Sequence, residues 1–550
     1  MAPRRWMLIL LLARILLFQC CICSSAKDYT FMHEAISAPA ESFYDYIVIG
    51  GGTAGCPLAA TLSSRPSVTV LVLERGGSPY GNQNIENKAN FAASLADDSP
   101  HSPSQSFISE DGVLNARARV LGGGSALNAG FYSRASHEYV REAGWDEGLV
   151  EQSYQWVERK VAFEPPMLDW QSAVRDGLLE AGVSPYNGFT YEHIYGTKVG
   201  GTIFDRQGHR HTSADLLEYA EPTRTTLYLH ATVHEILFST VGKRPRAYGV
   251  LYEDSRGGMH GAHLTNNSAG EIILSAGALG SPQILMLSGI GPKDKLKAHG
   301  LNVILDQPMV GQGMADNPMN ALFIPSPRPV EVSLIEVAGI THFGSYIEAA
   351  SGSGFGYRAG TEPPIMPPPM TGFVNTTLHG GIILEKVTGP ISTGHLELRT
   401  ADPKDNPSVT FNYFKDPEDL RRCVQGMNTI IDIVNSDALS SFRYNDLPVE
   451  ALISMMVSSP VNLRPKHPTA TISLEQFCID TVMTIWHYHG GCQIGKVVDR
   501  DYRVLGLDGL RVIDGSTFNY SPGTNPQATV MMLGRYMGLK ILQDRLSSGS

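Results

Sequence analysis

The stretch FYDYIVIGGGTAGCPLAATLSS, residues 43–64, changes character at its centre. Tyr46 to Ile49 is a short continuous apolar run, as expected of a parallel strand buried on both faces. Gly50, Gly52 and Gly55 then spell G-x-G-x-x-G around Thr53 and Ala54, and CPLAATLSS continues as an apolar-faced helix. Glycines so spaced let the backbone turn sharply and approach a pyrophosphate, which rests on the amides of the helix N-terminus. A glycine turn alone is common, but its context narrows the meaning. VTVLVLE reads as a second strand ending at Glu74, 19 residues past Gly55. An acid there accepts hydrogen bonds from the ribose of a bound dinucleotide. The competing reading is a structural βαβ unit in which Glu74 only ends a strand. A second glycine-rich, positively charged loop, NARARVLGGGSALNAGFYSRAS (115–136), is suited to wrapping a larger cofactor, yet these residues do not choose between NAD and FAD.

The 550 residues exceed one ordinary domain of roughly 100–200, so two intergrown domains are expected. Hydrophobic residues at 42% and charged residues at 18% describe a globular chain. A net charge of −11 excludes a broad nucleic-acid face. Arg4 and Arg5, the apolar run Trp6–Phe18 and the small residues ending at Ala26 resemble an export signal over 1–26. The run is short against the roughly 20 residues of a spanning helix and is broken by Arg14, so no stable membrane span is expected. Cleavage would leave Cys56, Cys423, Cys478 and Cys492. Cys423 and Cys478 sit in helix-like contexts and form a candidate disulfide; four free thiols is the alternative. Sequons stand at Asn266, Asn375 and Asn519, the first two in loop-like surroundings that suit glycosylation. The proline cluster 362–370 reads as a surface loop.

Several stretches together resemble the glucose–methanol–choline (GMC) oxidoreductase family. They are GGGTAG, RVLGGGSALNAGFY, GALGSPQILMLSGIGP (277–292), VGQGMADNP (310–318), WHYHGGCQIG (486–495) and the run from Arg511 to Gly538. Within the family, SPRPVEVSLIEVAGIT, GPISTGHLEL and TIWHYHGGC are similar to a plant HOTHEAD-like branch. The resemblance implies FAD as cofactor and an α/β architecture. A Rossmann-type FAD domain would occupy 43–320, with some insertions of the second domain, and 481–550. A discontinuous α+β substrate domain, its sheet covering the flavin, would occupy 321–480. It further implies that Gly50, Gly52, Thr53, Ala54 and Gly55 meet the diphosphate, and Glu74, Arg75 and Val233 the adenosine. Val120, Gly124, Asn128, Ala129, Gly130 and Phe131 would follow the pyrophosphate and isoalloxazine. Trp486, Asp514, Gly515, Pro526 and Gln527 would complete the flavin site.

His487 and His489 raise a separate question. With Cys492 they offer three metal ligands, but no fourth ligand or second cluster accompanies them, so no metal is expected. Aligning HYHGGCQIG with the family's H-x-x-G-T-C-x-M-G puts His487 in the catalytic-base position and leaves His489 structural. Gly491 replaces the family's threonine and Ile494 its methionine. Asn525 resembles the family's second catalytic position. An imidazole suits removal of a hydroxyl proton, and a side-chain amide suits holding the developing alkoxide. The implied reaction is oxidation of a small-molecule alcohol, with oxygen or another acceptor reoxidising the cofactor in a secreted monomer. Long-chain ω-hydroxy fatty acids for extracellular polymers are the implied substrates. Two alternatives stay open: a hydroxynitrile lyase, whose pattern would place His at 525 and Tyr at 485, and a non-catalytic flavoprotein. Met309, Met314 and Met319 with Leu322 and Phe323 read as a Met-rich core, with a pocket lining as the rarer outcome.

Overall fold

Alternate residues of the strand Tyr46–Ile49 enter two different cores. Ile47 and Ile49 join one cluster with Leu71, Leu73, Ile272 and Leu274, while Tyr46 and Val48 join another with Val70, Val72 and Ile273. A strand covered on both sides has no use for polar alternation, which is why the run is uninterrupted. In the computed structural model, which describes residues 29–548 apart from 96, 98, 266–268 and 354–378, this strand lies inside a six-stranded parallel sheet. The strand order is Met32–Glu34, Thr225–Leu229, Val70–Leu73, Tyr46–Ile49, Glu271–Leu274 and Leu510–Val512. The helix Gly55–Ser63 connects the two central strands on one face. The C-terminal helix Gln527–Ser548 packs closely against it: a Cβ on Gly534 would stand 2.2 Å from the Ala54 carbonyl oxygen.

A four-stranded sheet, Thr232–Ser239, Arg246–Glu253, Met259–Leu264 and Glu41–Tyr44, flanks this unit. A second six-stranded sheet, mostly antiparallel, runs in the order Met319–Pro325, His379–Val387, Ser345–Ser353, Val337–Ile340, Gly196–Val199 and Tyr186–Phe189. Its last two strands come from within 43–320, so the sheet is assembled from segments on both sides of the parallel unit's later strands. The helices Asp169–Glu180 and Pro417–Asn435 cover one face. The opposite face meets Phe131 through Ile335 and Ala338, and thereby turns toward the parallel sheet.

Cys423, on the helix Pro417–Asn435, is bonded to Cys478 on Leu474–Thr481; Cys56 and Cys492 are buried free thiols. Met314, Met319, Leu322 and Phe323 are core residues and Met309 packs against them. No described helix is long and apolar enough to cross a membrane. The export segment 1–26, the sequons at Asn266 and Asn375, and the proline cluster 362–370 lie outside the described residues.

Candidate active site

Two glycine loops meet at the carboxyl ends of the parallel strands. Gly50 has φ +100°, and a Cβ there would stand 2.5 Å from the Ser275 carbonyl oxygen. A Cβ on Gly55 would come within 2.0 Å of the Gly50 oxygen, so only glycine lets the helix begin against its own turn. From the second loop, Gly122 N donates to Gly51 O at 2.7 Å, and a Cβ on Gly123 would stand 2.9 Å from Gly52 Cα. The loops therefore touch backbone to backbone.

A cavity opens beside this contact. Gly50, Gly52, Thr53 and Ala54 line it from the first loop, Glu74 and Arg75 from the strand end, and Val120, Gly124 and Asn128–Phe131 from the second loop. Val233, Trp486, Asp514, Gly515, Pro526 and Gln527 line it as well, together with His487 and Asn525. Among the sequence candidates for cofactor contact only Gly55 stands behind the wall.

Glu74 is buried and accepts from Gly51 N at 3.0 Å and Gly76 N at 2.7 Å, so it braces the glycine turn as well as facing the cavity. Burial raises its pKa, more than those amides lower it. Asp514 ties its own turn to the helix Gly277–Leu287, accepting from Ser281 Oγ at 2.5 Å, Gly277 N at 2.9 Å and Ser516 N at 2.8 Å. Asn128 donates to Gln527 Oε1 at 2.9 Å, and Gln527 donates to the Phe131 oxygen at 2.6 Å. Arg210, absent from the sequence candidates, holds the second loop by donating to the carbonyls of Asn128 at 2.6 Å and Ser125 at 3.2 Å. Burial draws its pKa down to about 9. No motif surrounds Arg210, and no local pattern marked it.

His487 sits where the two sheets approach. Its Nδ1 is 3.1 Å from the Tyr346 hydroxyl and its Nε2 is 3.5 Å from Asn525 Nδ2. Trp486, just before it, has φ +61°, an unusual value for a large residue. Asp316 fastens this turn, accepting from His487 N at 2.8 Å and from Thr484 and Tyr413 hydroxyls at 2.7 Å each. Burial raises the Asp316 pKa to about 6. Asp316 lies inside VGQGMADNP, a stretch already singled out, whereas Tyr346 lies in none of the stretches singled out. Burial first, then Lys386 and His489, hold the His487 pKa well below its ordinary value. His489 donates Nδ1–H to the His487 carbonyl oxygen at 2.9 Å and is drawn down to about 4 by burial.

The wall suits a dinucleotide. Two helix N-termini, at Gly55 and Gly277, offer amides to phosphate, and a Cβ on Gly124 would enter open space. The Trp486 indole N–H and the Asn525 side-chain oxygen are buried without a partner among the described residues.

Residues 44–319 and 390–534 match the N- and C-terminal sequence profiles of GMC oxidoreductases. The chain belongs to the GMC oxidoreductase family. It is an FAD-dependent oxidoreductase. Protein HOTHEAD of Arabidopsis thaliana is 53% identical, over 92% of this chain and 89% of its own length. An (R)-mandelonitrile lyase-like protein of the same plant is 49% identical over 94% and 93%. A sinalpyl alcohol oxidase, Nec3 of Nesocodon mauritianus, is 45% identical over 95% and 93%. The crystal structure of formate oxidase superposes with a TM-score of 0.75 at 19% identity, covering 93% of this chain and all of its own, and so shares the fold.

Proposed function

We propose that this GMC oxidoreductase oxidises an alcohol, with His487 as the base and Asn525 as the group that holds the reacting oxygen. The observation supporting this is the pairing of His487 Nε2 with the Asn525 amide at 3.5 Å on the cavity wall. That contact is long enough for a substrate hydroxyl to displace it. His487, kept neutral by burial, takes the hydroxyl proton at Nε2. The Asn525 amide donates to the oxygen as charge develops, and a fixed donor in a dry site stabilises that charge without reorganising. FAD, held by the glycine loops, Glu74 and the Asp514 region, supplies the two-electron acceptor.

Long-chain ω-hydroxy fatty acids for extracellular polymers are the proposed substrate class, supported by similarity to the HOTHEAD-like branch. Secretion is proposed with it, supported by the signal-like residues 1–26, the sequons and the Cys423–Cys478 bond. Cyanohydrin cleavage is the second reading, favoured by the lyase-like relative. Against it, Ile485 lines the cavity where the lyase pattern calls for a phenol, and Asn525 stands where it calls for histidine.

Aerobic turnover of the chain from Lys27 tests the assignment, with a long-chain ω-hydroxy acid, benzyl alcohol and mandelonitrile supplied separately. Aldehyde from either alcohol supports it. Cyanide from mandelonitrile, with both alcohols recovered intact, overturns it.

A further inference from the structure

Tyr346 reaches His487 from the other sheet. It lies on the strand Ser345–Ser353, has no solvent exposure, and brings its hydroxyl to 3.1 Å from His487 Nδ1 across 141 positions of sequence. A neutral imidazole carries one N–H, and the hydrogen bond at one nitrogen decides the state of the other. At Nε2 the neighbour is Asn525 Nδ2, which only donates. Nε2 meets that long amide contact with its lone pair and the closer Tyr346 oxygen accepts the proton on Nδ1, so the two contacts hold the tautomer together and neither does so alone. The Tyr346 oxygen goes on accepting when Nε2 takes a proton, because Nδ1 keeps its hydrogen in both the neutral ring and the cation.

The surroundings favour a phenol in this place. Burial, then Glu348, Asp316 and Glu385, hold the Tyr346 pKa well above its ordinary value, so it stays neutral. A carboxylate at Nδ1 would stabilise the imidazolium strongly and raise the resting pKa of the base. A phenol orients the ring with little charge of its own. Other groups face the pair from several elements. Lys386, on the strand His379–Val387, lies 5.2 Å from the Tyr346 ring centre and is ion-paired with Glu348. Asp316 bonds the His487 backbone amide rather than its ring, and His489 bonds the His487 carbonyl.

We propose that Tyr346 is a positioning residue that holds His487 in the Nδ1–H tautomer, so that the Nε2 lone pair faces the substrate hydroxyl. This rests on the assignment of His487 as the base, but its direct test needs no turnover. The FAD-loaded protein labelled with 15N-histidine is examined by long-range 1H–15N correlation, the His487 signals being assigned by their loss in His487→Gln. The wild type is expected to show a protonated Nδ1 and a bare Nε2, and Tyr346→Phe to shift His487 toward Nε2–H. In the same variant kcat should fall about 10- to 100-fold with KM little changed, as when an orienting partner of a functional histidine is lost. Nε2–H in the wild type overturns the proposal even if the variant fails to fold, and so does an unchanged tautomer in a folded Tyr346→Phe. A wild type with Nδ1–H that oxidises no alcohol would contradict the proposed reaction and leave the tautomer assignment standing.

Discussion

Asn525 Nδ2 stands 3.5 Å from His487 Nε2, although 38 residues separate them in the chain. The two come from different loops, one fastened by Asp316 and the other running into the C-terminal helix Gln527–Ser548. Replacing either leaves the other's support intact, so their contributions can be read separately. His487→Gln should cut kcat for alcohol oxidation roughly 100- to 10,000-fold. Asn525→Ala should cost about 100-fold, the scale of a lost oxyanion donor. Both variants should keep their flavin, since the glycine loops and Asp514 are untouched. Stopped-flow reduction rates and the flavin spectrum check both points.

The acid limb of the pH profile should lie below 6.5. In the proposed reaction His487 works as the neutral base, and burial with the Lys386 charge holds its pKa below that ordinary value. Activity on kcat/KM should therefore stay level from neutrality down through 6.5 and fall only at lower pH. Removing the buried pair together, as Lys386→Met with Glu348→Gln, should move the limb toward higher pH by relieving the repulsion. An unmoved limb would show that Lys386 does not act on His487.

His489 links stability to pH. Its pKa is about 4 in the folded chain against an ordinary 6.5, so between these values the unfolded chain binds a proton that the folded one does not. Its contribution is complete above pH 6.5 and is lost as pH falls toward 4, at most about 3 kcal/mol. Asp316 works in the opposite sense: raised to about 6, it takes its proton first in the folded chain and gains stability as pH falls. The separable prediction is a difference. His489→Asn keeps a donor to the His487 carbonyl without a titrating ring, and should flatten the decline in urea midpoint between pH 6.5 and 4.

Gly55→Ala should abolish flavin binding or folding, because its Cβ would stand 2.0 Å from the Gly50 oxygen, where neither backbone can retreat. Gly124→Ala should fold, since nothing lies within 4 Å of its Cβ, yet weaken flavin retention by entering the cavity. Thermal melts with and without added FAD distinguish the two outcomes.

The Cys423–Cys478 bond closes a loop of 55 residues between helices that both serve the second sheet. Chain entropy puts its contribution at roughly 4 kcal/mol, with measured cases commonly smaller. The double Cys→Ala variant should unfold at lower urea by a comparable free energy while keeping its flavin spectrum.

What was legible in the sequence was what neighbouring residues write together. The run Tyr46–Ile49, the glycines and Glu74 carry their meaning within 30 positions, because a βαβ unit is a local structure. His487 and Asn525 were reachable through similarity to family motifs. The strand Met32–Glu34 was not: an edge strand of three residues, MHE, has no apolar periodicity to show. Nor was the contribution of Tyr186–Phe189 and Gly196–Val199 to the second sheet, since Gly196–Val199 joins it by pairing with Val337–Ile340 more than 130 residues away, which leaves no local trace. Arg210 and Tyr346 escaped for the same reason. Each acts on a partner far along the chain, and its role exists only after folding.

Flavin reduction under anaerobic conditions tests the central claim most directly. With oxygen absent, the FAD-loaded chain is mixed with a long-chain ω-hydroxy acid or benzyl alcohol and its oxidised absorption band is followed. Loss of the band in the wild type, and its persistence in His487→Ala, is the predicted result. A band that persists with every alcohol while mandelonitrile releases cyanide would contradict the account.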